Sequence, residues 1–186
     1  MAATFNWCQD NGTATGSPAH GTTRSGFGSD THYPTTVSYK NADDCTDNGG
    51  TPQAAAPIFW GNNSYTVFMY GHFSGTFTAI SAGLVAHTAG AFATGLTLKG
   101  TVTSTYATPS TTTNAALTTD MTSPTAIGSG LTVNFATSGP ENASPTGTLS
   151  AAGYSQYIAL QLQTTVNVAP PGSIGGPTLM LQYNES

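Results

Sequence analysis

Three carboxylates crowd one short stretch of the chain: Asp43, Asp44 and Asp47. Acid–base catalysis needs a carboxylate or histidine held opposite a partner. A glycosidase needs two carboxylates facing each other across a cleft. These three share one loop and do not face one another. The same loop offers a second chemistry. Asp44, Thr46 and Asn48, followed by Gly49, present oxygens at alternate positions, as the first half of a calcium loop does. The acidic residue that closes such a loop is missing, because Ala55 stands in its place. The competing reading is a polar turn whose Asx side chains bond their own backbone. The loop is thus a weak Ca²⁺ candidate, and no cofactor is expected.

The remaining reactive groups are scattered. His20, His32, His72 and His87 include no pair at metal-ligand spacing. They read as solvated or hydrogen-bonded side chains. Cys8 and Cys45 could close a disulfide contributing about 3–4 kcal/mol by the chain-entropy argument. A reducing cytoplasm favours two thiols instead. No Gly-x-Ser-x-Gly elbow appears, and no Gly-rich loop carries the Lys and Ser/Thr of a phosphate cradle. The expectation is a protein without catalytic activity.

Composition narrows the partners. Only 6% of the 186 residues are charged, against about 25% in an average soluble protein. The three basic residues, Arg24, Lys40 and Lys99, are dispersed, whereas neutralising a phosphate backbone takes clustered Lys and Arg. Nucleic acid binding is not expected. No run approaches the roughly 20 apolar residues of a membrane helix, and the opening lacks the basic and apolar regions of a signal peptide. Membrane association is not expected, and synthesis in a cytoplasm is. A surface so poor in charge is easily buried against neighbours, because few ions need desolvating.

The elements that must position these residues are strands. Residues 96–106 alternate: Leu96, Leu98, Val102 and Tyr106 fall on one face, and Thr97, Lys99, Thr101 and Thr103 on the other. A period of two marks a half-buried antiparallel strand. Residues 156–168 repeat the pattern, with Ile158, Leu160 and Leu162 opposite Gln161 and Gln163. Shorter strands are expected at 131–135 and 179–183, with others at 35–40, 73–80 and 84–87. The run 65–70 is apolar on both faces and predicts a central strand. No convincing helix appears; the best stretch, 114–121, is short and rich in Thr. Seven or eight short strands with turn-rich links predict an all-β antiparallel sandwich or jelly roll over 35–186. Residues 1–34 read as an extended N-terminal arm, and 107–130 as a long loop. Aromatics at Trp60 and Tyr65 are core residues if buried, and sugar-stacking platforms if exposed.

Several motifs carry a resemblance. They are Ala-Thr-Phe-Asn-Trp at 3–7, Phe-Ser-Gly-Thr-Phe at 73–77 and Gly-Leu-Thr-Leu at 95–98. Gly-Thr-Val-Thr-Ser-Thr-Tyr-Ala-Thr-Pro follows at 100–109, then Ala-Gly-Tyr-Ser-Gln-Tyr-Ile-Ala-Leu-Gln-Leu-Gln at 152–163 and Leu-Gln-Tyr-Asn-Glu at 181–185. Together they resemble virion structural proteins of tailed bacteriophages. The resemblance implies a capsid decoration, or cement, protein that binds the major capsid protein of its particle. A homo-oligomer, with a trimer favoured, and a location in the virion after release by lysis are implied with it. A tail or fibre component, or a carbohydrate-binding sandwich module, is the alternative. Phe5 and Trp7 in the arm, and Leu117 and Met121 in the long loop, are the interface candidates. On this reading, deleting residues 2–32 should leave a folded domain that no longer joins the particle.

Overall fold

Alternating Thr/Gln and aliphatic residues cannot bury one face as a helix, but they can as a sheet. A computed structural model shows that outcome. It describes residues 2–11, 19–21, 61, 63–64, 66–87, 92–106, 117, 119, 130–141, 145–166 and 178–186. Among these, every regular element is a strand and every strand pairing is antiparallel.

The strands are β1 (Ala3–Asn11), β2 (Ala19–Gly21), β3 (Val67–Gly75), β4 (Ile80–His87), β5 (Leu96–Thr103) and β6 (Leu131–Val133). They continue with β7 (Phe135–Ala136), β8 (Thr148–Leu149), β9 (Gly153–Ser155), β10 (Tyr157–Thr164) and β11 (Leu179–Glu185). The larger sheet runs β2-β1-β3-β10-β5, with β9 also on β3 and β7 on β9. The smaller runs β11-β4-β6, with β8 also on β4. The fold is an all-β, sandwich-like pair of antiparallel sheets.

Two clusters of side chains lie between the sheets. Val85 and Val133 of the smaller sheet meet Leu98, Ile158 and Leu160 of the larger. Further along, Phe73 of the larger sheet meets Phe135, Ile80 and Leu149. Phe135 stands edge-on to Phe73 at 5.6 Å between ring centres. A third cluster sits on the other face of the larger sheet: Cys8, Phe68, Tyr70, Tyr157 and Ala159, flanked by Tyr106, Leu117 and Tyr154. β10 is therefore buried on both faces, from Tyr157 through Gln161. Its alternation suggests a half-buried strand. The face carrying Gln161 is covered all the same, because Tyr157 and Ala159 share it.

The strands among the described residues outnumber the seven or eight expected because β2, β8 and β9, of two or three residues each, are too short to show a period, and for two further reasons. The first is that the chain changes sheets. β6 belongs to the smaller sheet and β7 to the larger, with only Asn134 between them. One expected strand over 131–135 thus becomes two short ones, as at the corner of an orthogonal sandwich. The second is β1. Within the stretch 1–34 read as an arm, residues 3–10 pair in register with β3, from Ala3 opposite Gly75 to Asp10 opposite Phe68, while 12–18 and 22–34 lie outside the described residues. Phe5 and Trp7 turn inward while Thr4 and Asn6 are exposed. This short alternation is obscured in the sequence by the Gly/Ser/Thr-rich stretch that follows it. Of the runs expected at 65–70 and 73–80, residues 67–70 and 73–75 fall in the single strand β3, 76–79 link it to β4 and Ile80 opens β4, while 84–87 is the end of β4, at the centre of the smaller sheet. The strand expected at 35–40 lies outside the described residues.

The seam between β9 and β10 holds one extra residue. His72 is opposite Tyr154 while Met69 is opposite Ile158, so two residues of β3 face three of the partner. Such a bulge interrupts the ladder. Ser155 repairs it: its Oγ accepts the Gly71 N–H at 2.8 Å and donates to the Gln156 carbonyl at 2.9 Å. Replacing Ser155 by Ala leaves a buried N–H unsatisfied, at a cost of about 1–3 kcal/mol. Chemical denaturation of S155A should show a lower midpoint with an unchanged slope.

Candidate interaction surface

The residues singled out by sequence fall into three groups. Asp44, Thr46, Asn48, Cys45, Met121, Trp60 and Tyr65 lie outside the described residues. Phe5 and Trp7 are packed side chains of β1. Phe5 touches Trp7 edge-on at 5.1 Å and lies 5.2 Å from Phe73. Both are half-buried, Trp7 against the Val85 cluster and Phe5 against the Phe73 cluster. Leu117 is the third case, half-buried and docked on the larger sheet. Cys8 is buried beside Phe68 and Tyr70.

The outward face of the larger sheet has two unlike halves. At one end a cross-strand row runs from exposed Asn6 of β1 to His72 of β3 and Tyr154 of β9, register neighbours in turn. The His72 and Tyr154 rings are stacked, 4.8 Å apart and 20° from parallel, and both are half-buried. At the other end Phe68, Tyr70, Tyr106 and Tyr157 pack with tilted or edge-on rings, all between 5.0 and 6.0 Å apart. Edge-on geometry suits aromatic quadrupoles and makes this half rigid.

Two glutamines of β10 border the rigid half. Gln161, fully buried, accepts the Leu117 N–H at 3.1 Å through its Oε1. The same Oε1 accepts Gln163 Nε2–H at 2.8 Å. Gln163 Nε2 in turn donates to the Leu117 carbonyl at 3.0 Å. One residue's N–H and C=O are thus both read by side-chain amides. Beyond it, the Gly100 N–H of β5 donates to the Thr119 carbonyl at 2.8 Å. Sequence reasoning places Gln161 and Gln163 on a polar face and goes no further. Their i, i+2 spacing is visible, but nothing in the pattern shows that Leu117 lies on them.

No protein-family model, curated protein or solved structure matches this chain. Among the described residues no group of three or more His, Cys, Asp and Glu side chains is placed to hold a metal ion. Of the acidic groups, Glu185 links the two sheets. Its Oε1 accepts the Ala3 N–H at 2.7 Å, joining β11 to β1. His87 is buried at the end of β4, with its ring edge-on to Phe92 at 5.4 Å. Among the described residues no helix is long and apolar enough to cross a membrane.

A second hub holds the seam where β7 gives way to β5 along β9 and β10. The Gln156 backbone N–H donates to the Asn134 carbonyl at 2.9 Å, and its Oε1 accepts the Asn134 N–H at 3.1 Å. Its Nε2 reaches Ser104 Oγ at 2.8 Å. Gln156 therefore ties the sheet-switching corner to β5. Amides and hydroxyls fill the role that charges fill elsewhere. Such groups are neutral, and their bonds are not weakened by salt screening.

Proposed function

We propose that this chain is a non-enzymatic structural protein of a virion, binding the surface of the capsid of a tailed bacteriophage as a cement protein. The reading rests on the sequence resemblance above. The observation that carries it further is the pairing of an all-β scaffold with a charge-poor surface. Such a surface can be covered by a neighbour without the desolvation cost of many ions. The partner on this reading is the major capsid protein, and copies of the chain associate with one another, most simply as a trimer. Its mechanism is area: contacts of several hundred Å² repeated over a shell give high avidity even when each is weak.

The test is gold-labelled antibody against the protein on particles from a lysate. Label spread over heads is the expected result. Label confined to tails, or absent from particles, would overturn the cement reading.

A second reading has one observation in its favour. The half-buried His72–Tyr154 stack beside exposed Asn6 places two aromatic rings and an amide in one cross-strand row on the outward face. That combination suits a sugar ring, and would serve a tail or fibre component or a carbohydrate-binding module. Saturation-transfer NMR with host surface glycans would show contact at Tyr154 if this reading holds, and none if it does not.

A further inference from the structure

We draw no further inference here: the strongest candidate, the edge of β1 that faces away from β3 at Phe5 and Trp7 and pairs with no other strand there among the described residues, carries nothing because nothing in the structure shows what covers it.

Discussion

A chain lacking residues 2–11 should not fold. β1 pairs with β3 over eight consecutive residues, so the deletion removes one whole side of the ladder at the middle of the larger sheet. With it go Phe5 and Trp7 from between the sheets, and the Ala3 N–H that Glu185 holds. Truncating a well-buried Phe or Trp to Ala costs about 3–5 kcal/mol. Phe5 and Trp7 are half-buried, so about 2–3 kcal/mol each is a fairer figure. Losing both together with the ladder meets or exceeds the whole stability of a typical domain, about 5–15 kcal/mol. Thermal scans by near-ultraviolet circular dichroism should show no cooperative transition for the deletion. The single variant Phe5→Ala should keep a transition at lower temperature. A deletion that melts cooperatively would show that β1 is dispensable and would restore the arm.

Adjacent residues in β4 should respond with opposite sign. Between Ser81 and Leu84, two residues of β4 face one of β11, a bulge at Ala82 and Gly83. Ala82 has φ of +54°, a left-handed backbone that costs an L-residue about 1–2 kcal/mol. Ala82→Gly relieves that cost but gains entropy in the unfolded chain. The net expectation is stabilisation by about 0.5 kcal/mol. Gly83 has no such freedom to spare. A Cβ there would lie 2.6 Å from the Val133 carbonyl oxygen and 2.6 Å from the Phe135 ring. Neither can retreat cheaply, since Val133 is in the ladder with Gly83 and Phe135 is fully buried. Gly83→Ala should cost about 2–4 kcal/mol, in the range of overpacked cores. Urea denaturation of the two variants decides it; equal shifts of the same sign would refute the bulge geometry.

These two residues also show where the sequence stops speaking. Ala82-Gly83 looks like an ordinary interruption before an apolar run. Its role depends on Phe135, far along the chain, lying across it. The same holds for Ser155, a Ser in a strand until the extra residue beside it leaves Gly71 without a ladder partner. It holds for Gln161, which alternation assigns to a polar face and tertiary packing buries.

What the sequence determined by itself is the class of structure and its main strands. Of the two-residue periods read at 96–106 and 156–168, residues 96–103 and 157–164 form β5 and β10, and the pair stands in register from Tyr157 opposite Thr103 to Thr164 opposite Leu96. Period-two patterning is a local property, fixed by the pleat, so it can be read from one segment. Tertiary structure alone decided which sheet each strand joins, that β1 is a strand of the larger sheet, and that both faces of β10 are covered. Those outcomes depend on contacts between residues far apart in the chain, whose burial energy no single segment carries.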